Sequence, residues 1–77
     1  MDFKLYFYGL TPLERDAYAD RAGTTVRYIQ CHLISRRKIP RLKSLHKLAA
    51  ASDNRVSLDD LLVYFYKADH KTRQNQF

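Results

Sequence analysis

The sequence is poor in cysteine, glycine and proline. Its 77 residues include one cysteine, two glycines and two prolines. A single cysteine excludes an intramolecular disulfide, so we expect folding in a reducing compartment such as the cytoplasm. Two glycines are too few for a phosphate-binding loop. Scarce glycine and proline, together with 45% hydrophobic residues, favour a folded domain of helices joined by short turns.

Long apolar runs and a targeting segment are also missing. No run approaches the ~20 apolar residues that a membrane helix needs. The stretch Met1–Lys4 lacks the charged and apolar regions of a signal peptide. We therefore expect an intracellular protein without a membrane partner.

Residues that would carry catalysis or bind a metal lack the necessary spacing. The adjacent Cys31 and His32 point to different helix faces, and no Cys and His pair has zinc-finger spacing. No order of Ser, His and Asp falls in a catalytic motif, and a domain of this length leaves little room for a pocket and lid. The sequence predicts no catalytic residue, no metal site, no cofactor and no enzymatic activity.

Acidic residues are absent from the centre of the chain. Residues 21–52 contain no Asp or Glu but eight Lys or Arg, and the rest of the chain has more acids than bases. These cations are Arg21, Arg27, Arg36, Arg37, Lys38, Arg41, Lys43 and Lys47. The net charge of +6 therefore arises within this acid-free block. A polyanion such as nucleic acid is the expected partner, and a solvated basic face is the alternative.

Apolar periodicity predicts an all-α, compact bundle of about five short helices. Asp2 is placed to cap the first helix, and Thr11 and Glu14 form a capping box for the second, with Pro12 at its first position. Gly23 is suited to end the second helix in a left-handed conformation. The expected buried stripes are Phe3, Tyr6, Phe7 and Leu10 in the first helix and Leu13, Ala17, Tyr18 and Ala22 in the second.

Three further helices are predicted after the second. Thr25 is placed to cap the third, Pro40 to open the fourth and Ser57 to cap the fifth. The pair Asp53-Asn54 is expected to end the fourth. The expected buried stripes are Val26, Ile29 and Leu33, then Leu42, Leu45, Leu48 and Ala49, then Leu58, Leu61, Leu62 and Phe65.

The fifth helix has more apolar side chains than one stripe can bury, because Val63, Tyr64 and Tyr66 surround the stripe. We expect part of it to meet a second copy of the chain in a weak homodimer. The predicted dimer contacts are Leu62, Tyr64, Phe65 and Tyr66. The domain is expected to span residues 1–66, followed by a flexible basic tail at residues 67–77.

The turn between the second and third helices has the spacing of a helix-turn-helix motif. It is too short to let the two helices run antiparallel, so they must cross steeply, with small residues where the backbones approach. Ala19 and Gly23 are placed there, and Ile29 follows six residues after the glycine. A generic helical hairpin is the alternative, but the acid-free block beside the motif favours DNA binding.

This part of the chain resembles the phage Cro and repressor-type helix-turn-helix proteins. It is most similar to small all-helical Cro-like proteins, including the YdaS-like antitoxin or repressor family. The segments that carry the resemblance are 10–19 (LTPLERDAYA), 22–29 (AGTTVRYI) and 35–40 (SRRKIP), within about residues 10–50. The resemblance implies a lambda-repressor-like DNA-binding domain in the cytoplasm or nucleoid of a bacterial host.

Two features depart from the family. His32 occupies a position where such motifs place an aliphatic residue or Trp, so we expect Leu33 to pack there instead. The C-terminal region is predicted to be helical, whereas some Cro proteins end in strands that build the dimer. The resemblance therefore implies no particular mode of dimerisation.

By this resemblance, the N-terminal half of the third helix meets base edges in the major groove. The implied base-reading residues are Val26, Arg27, Gln30 and Cys31, and the implied phosphate contacts are Thr24, Thr25, Tyr28, Arg36, Arg37, Lys38 and Arg41. Arg27 has the chemistry to read guanine and Gln30 to read adenine. Val26 is suited to a thymine methyl group unless it turns inward, and Tyr28 is equally suited to the core.

The predicted function is sequence-specific double-stranded DNA binding by a transcriptional regulator, a phage or prophage Cro-like repressor that binds a pseudo-palindromic operator as a dimer. The alternative is an antitoxin that binds a partner toxin through its last helix and also binds its own promoter. RNA binding is less favoured, because the major groove of A-form RNA is too narrow for a reading helix. A measurement of self-association distinguishes the repressor from the antitoxin, since a toxin-binding face predicts a monomer until the partner is added.

Overall fold

A computed structural model describes residues 1–67, and this part of the chain forms five helices and no strand. They are α1 (Phe3–Gly9), α2 (Pro12–Arg21), α3 (Val26–Tyr28, continued by a π-helical segment, Ile29–Ile34), α4 (Leu42–Ala51) and α5 (Leu58–Leu62, continued by a π-helical segment, Val63–Lys67). The all-helical class and the five predicted helices are confirmed. The predicted flexible tail lies, from residue 68 onward, outside the described residues.

Side-chain caps fix where the helices begin. The Asp2 carboxylate accepts a hydrogen bond from a backbone N–H in the first turn of α1 at 3.1 Å. Thr11 N–H donates to Glu14 Oε1 at 2.8 Å, and Glu14 N–H donates to Thr11 Oγ1 at 3.2 Å. Ser57 and Asp60 form the same capping box at the start of α5. These predicted starts are confirmed.

The predicted start of α4 is wrong. Pro40 does not open this helix, which begins at Leu42 with Arg41 as its N-cap. The Arg41 side chain does not cap the helix, because a guanidinium has no acceptor for the free N–H groups of the first turn.

Left-handed residues end α2 and α4. Gly23 has a φ of +76° and donates to Asp20 O at 3.1 Å, while Thr24 N–H donates to Ala19 O at 2.9 Å. This pair of bonds is a Schellman motif, which makes the turn between α2 and α3 compact. Asp53, with a φ of 55°, ends α4 in the same way.

Aromatic rings join α1, α2 and α5. The Phe3 ring lies 5.5 Å from the Tyr64 ring and 5.8 Å from the Phe65 ring, measured between centroids, and Phe7 lies 6.4 Å from Tyr18. All five residues are buried. Aliphatic side chains of the other elements complete the core, chiefly Ile29, Leu33, Leu45, Leu48, Val56 and Leu61.

Three residues of the predicted stripes face solvent instead. Leu13 is 80% exposed, Leu42 is 59% exposed, and Ala17 is also exposed. The buried side of α2 is set by Tyr18 and the residues one and four positions after it, Ala19 and Ala22, which places Leu13 and Ala17 on other sides. Leu42 lies in the first turn of α4, where the described residues leave it uncovered.

Tyr64 and Phe65 do not form an open surface for dimerisation as predicted, and the burial of Phe65 agrees instead with its place in the predicted buried stripe. Tyr64 is 3% exposed and Phe65 is fully buried, because α1 covers them and the Tyr64 hydroxyl donates to Ile34 O at 2.6 Å. Leu62 is half-buried against the same core, and Tyr66 is exposed. Burial also raises the pKa of the Tyr64 hydroxyl. Of the four predicted dimer contacts, Tyr66 alone is exposed, at 44%.

Among residues 1–67, no helix is both long enough and apolar enough to cross a membrane.

Candidate nucleic-acid interface

The turn after α2 leads directly into α3, whose first residues are held by a cap. Thr25 Oγ1 accepts a hydrogen bond from Tyr28 N–H at 3.0 Å, as predicted. Ile29 and Leu33 anchor the inner side of α3 in the core. Val26 is half-buried against the same core, so it takes the inward orientation and not the predicted base-reading one.

Three residues predicted to read bases project outward from α3. Arg27, Gln30 and Cys31 are all exposed. Spacings of three and four residues place them on one side of the helix, opposite the buried Ile29 and Leu33. The outward face therefore presents a guanidinium, an amide and a thiol.

Tyr28 forms a ridge beside this face. Its side chain is 39% exposed, so the alternative that it is a core residue is wrong. The Tyr28 ring lies 4.9 Å from the His32 ring, and Lys38 Nζ lies 6.0 Å from its centroid. A concave surface lies on each side of this ridge.

The first concave surface is shallow and borders the outward face of α3. We call it the α3 depression; it is lined by Thr25, Arg27, Tyr28, Cys31, His32 and Arg37. Two of these residues are cations, one from α3 and one from the loop that follows it.

The second concave surface is more enclosed, with a volume of about 490 Å³. We call it the cationic groove, and it lies between the α2–α3 turn, the loop after α3 and α4. Its rim carries Thr24, Tyr28, Lys38, Arg41, Ser44 and Lys47. Buried Leu33 and Leu48 form its bottom.

Five of the eight cations in the acid-free block line these two surfaces. They are Arg27, Arg37, Lys38, Arg41 and Lys47. Within residues 1–67 none of them is in an ion pair, and the one ion pair there joins the Met1 amino group to Asp60 at 2.6 Å. Their charge is therefore available to a polyanion.

Two other cations of the block bind backbone carbonyls. Arg21 donates to Ala51 O from Nε at 3.2 Å and from Nη2 at 2.8 Å. Arg36 donates from Nε to Tyr64 O at 2.9 Å, and its guanidinium carbon lies 4.0 Å from the Tyr64 ring centroid. The prediction that Arg36 binds phosphate is therefore corrected: its side chain is engaged in packing against α5.

Sequence reasoning counted Lys47 among the cations of the acid-free block but assigned neither Lys47 nor Ser44 to the interface. Both face the cationic groove from α4, together with the buried Leu48. Their spacing of three residues places them on one side of a helix. That spacing was visible in the sequence, but the turn that faces them was not.

Within residues 1–67, no three His, Cys, Asp or Glu side chains cluster so that they could hold a metal ion. Comparison of the chain with protein-family models, with curated proteins and with solved structures finds no match.

Proposed function

We propose that the chain binds double-stranded DNA sequence-specifically as a transcriptional regulator, with α2, the turn after it and α3 acting as a helix-turn-helix. The observation that carries this proposal is the position of five cations, none of them in an ion pair within residues 1–67, around the two concave surfaces on either side of Tyr28. An α-helix fits the major groove of B-DNA, and cations beside such a helix meet the flanking phosphates.

The roles of individual residues follow from their positions. Arg27 and Gln30 project from α3 and have the chemistry to read guanine and adenine, with Cys31 beside them. The residues that bind phosphate in this proposal are Thr24, Thr25, Tyr28, Arg37, Lys38 and Arg41. Phosphate contacts position the helix, and base contacts supply the sequence preference.

We further propose that the regulator is a phage or prophage Cro-like repressor that binds a pseudo-palindromic operator as a dimer. One subunit inserting one helix covers only ~600–1,000 Å² of interface. Two subunits multiply discrimination and read half-sites about one helical turn, ~34 Å, apart. A two-fold symmetric operator is the direct consequence.

Selection of bound duplexes from a random pool at defined salt tests this function. We expect a two-fold symmetric consensus. The three cations assigned to phosphates are Arg37, Lys38 and Arg41, so log K plotted against log salt should fall with a slope of about −3 per subunit. A slope near zero would contradict the proposal.

Variants of two arginines then distinguish contacts that read bases from contacts that position the helix on the phosphates. Arg27→Ala should relax base preference at one or two operator positions by ~1–3 kcal/mol. Arg37→Ala should weaken operator and random DNA alike, and Lys4→Ala, outside the block, should change neither. If Arg27→Ala lowers the affinity for operator and for random DNA equally, the base-reading face lies elsewhere.

A further inference from the structure

The cationic groove is larger and more apolar than a contact with one DNA phosphate requires. Its volume of about 490 Å³ falls in the range of ~300–1,000 Å³ that small-molecule sites occupy. The buried side chains of Leu33 and Leu48 form its bottom, and the Tyr28 ring contributes a wall. A bare phosphate at the rim would leave the exposed apolar surface of Tyr28 and Ile39 in water.

The rim of the groove is cationic and carries hydroxyl groups. Lys38, Arg41 and Lys47 line it, and no acidic residue of the described part of the chain does. A Cβ placed on Gly23 would lie 3.9 Å from Lys47 Nζ, so this ammonium group lies over the α2–α3 turn. Thr24 in the same turn also lines the groove, and its hydroxyl has the chemistry to donate to an anion.

We propose that the cationic groove binds a small amphipathic anion, a phosphate or carboxylate carried on an aromatic or short aliphatic body. The anionic head lies among Lys38, Arg41 and Lys47. The apolar body packs against Tyr28 and Ile39, which line the groove and are each 39% exposed, and removes part of their surface from water. Charge complementarity selects the head, and the size of the groove limits the body to a small molecule.

A consequence for regulation rests on the proposed function. Thr24, Tyr28, Lys38 and Arg41 belong both to the groove and to the proposed phosphate contacts. The same cations cannot serve a bound small anion and a DNA phosphate at once. The ligand therefore competes with DNA and acts as an inducer.

Ligand binding is tested without DNA. Phenyl phosphate, inorganic phosphate and benzyl alcohol are titrated into the protein at constant ionic strength, with NMR shifts and calorimetry as readouts. We expect phenyl phosphate to bind about tenfold more tightly than inorganic phosphate, because the ring buries apolar surface. Benzyl alcohol, which lacks the charge, should bind more weakly than phenyl phosphate. Equal affinity for the two phosphates, or no binding of phenyl phosphate, overturns the proposal.

Two matched lysine variants locate the site. Lys47→Gln should weaken phenyl phosphate binding about threefold to fivefold, the loss of one exposed ion pair. Lys43→Gln, on the same helix but outside the groove, should change it less than twofold. Tyr28→Ala should weaken phenyl phosphate and leave inorganic phosphate unchanged. Equal effects of the two lysine variants would show non-specific attraction and overturn the assignment.

Competition on DNA distinguishes this inference from the proposed function. Phenyl phosphate should displace DNA with an inhibition constant equal to its dissociation constant, whereas inorganic phosphate at the same ionic strength should not at that concentration. If the protein binds both DNA and phenyl phosphate but phenyl phosphate does not displace DNA, the two do not compete for the same cations and the proposed regulation is wrong. If DNA does not bind at all, the proposed function fails while the ligand titrations still decide the groove.

Discussion

The hydroxyl of Tyr18 shows how one buried polar atom fixes two helices. It donates to Leu48 O at 2.9 Å, and the Tyr18 side chain is fully buried. Leu48 lies in the last turn of α4, where carbonyl oxygens lack an intrahelical partner. Arg21 satisfies Ala51 O in the same turn. Residues of α2 thus cap the end of α4.

Removing this hydroxyl should destabilise the protein. Tyr18→Phe leaves a buried carbonyl unpaired and should lower the free energy of unfolding by about 1 kcal/mol in a denaturant titration. Tyr8→Phe is the matched control, since Tyr8 is 44% exposed, and it should change stability by less than ~0.5 kcal/mol. Equal stability of the two variants would contradict the role given to Tyr18.

Burial also raises the pKa of the Tyr18 phenol above its ordinary value of 10.0. The hydroxyl therefore stays protonated in the folded chain where the unfolded chain ionises. Its contribution to stability is complete below about pH 10 and decreases as the pH rises further.

Arg36 combines backbone strain with a stabilising side chain. Its φ of 59° is left-handed, a conformation that costs an L-residue roughly 1–2 kcal/mol. The bond to Tyr64 O and the stacking on the Tyr64 ring offset that cost. This explains how an arginine occupies a position that usually takes glycine.

Two substitutions of Arg36 distinguish the cost of the backbone strain from the stabilisation by the side chain. Arg36→Ala loses the side-chain contacts and keeps the strain, so it should be about 1 kcal/mol less stable than Arg36→Gly. Thermal unfolding of both variants measures the difference. Arg37→Ala, next in the chain, should unfold like the wild type. A glycine variant no more stable than the alanine variant would refute the strain argument.

At the scale of the helix, the capping box of α2 links stability to pH. The hydrogen bond from Thr11 N–H holds the pKa of the Glu14 carboxyl below its ordinary value of 4.5. The ionised carboxylate therefore stabilises the folded chain above pH 4.5, and this contribution is lost as pH falls through the lower folded pKa. The Asp60 carboxyl behaves in the same way, because a hydrogen bond from the N-terminal amino group lowers its pKa.

Glu14→Gln tests this linkage. The wild type should be more stable than the variant at pH 7, and the gap should narrow as the pH falls below 4.5 and Glu14 takes up its proton. Denaturant midpoints at a series of pH values measure the gap. Asp16→Asn, on the same helix and outside the capping box, should follow the wild type. A gap that stays constant over this range would show that the charge of Glu14 is not involved.

The starts of four helices could be predicted from the sequence because caps are local. Thr11, Thr25 and Ser57 act within three residues of their own positions. The exposure of Leu13 could not be predicted, because it depends on which side of α2 meets α1 and α4. The burial of Tyr64 likewise depends on α1, about 60 residues away in sequence.

The candidate site was predictable in outline and not in detail. The acid-free block located the positive surface, and Arg27, Gln30 and Cys31 are exposed on α3 as expected. Sequence cannot distinguish an arginine that binds a carbonyl from one that faces solvent. In the sequence, Arg21 and Arg36 are therefore candidate DNA contacts in the same way as Arg27. The fold distinguishes them, because the side chains of Arg21 and Arg36 bind carbonyl oxygens.

At the scale of the whole molecule, the open question is where a second copy would bind. The predicted contacts on α5 divide into two kinds. Phe65 and Tyr64 belong to the subunit's own core, whereas Tyr66 is 44% exposed and Val63 is 48% exposed. Both lie in the π-helical segment Val63–Lys67 and form its exposed side, whereas Tyr64 and Phe65 between them are buried. If α5 forms the dimer contact, it does so through this outer side.

Tyr64→Asp and Tyr66→Asp distinguish packing within a subunit from contact between subunits. Tyr64→Asp buries a carboxyl in an aromatic core and removes the hydrogen bond to Ile34 O, so it should lower the free energy of unfolding by more than about 3 kcal/mol. Tyr66→Asp should cost less, about 1 kcal/mol or below, because Tyr66 is 44% exposed. Ultracentrifugation with and without operator should then show weaker self-association for Tyr66→Asp. Undiminished cooperative binding of two subunits by a folded Tyr66→Asp variant would move the dimer contact away from α5, to a surface such as the exposed side of α1 with Leu5 and Tyr8.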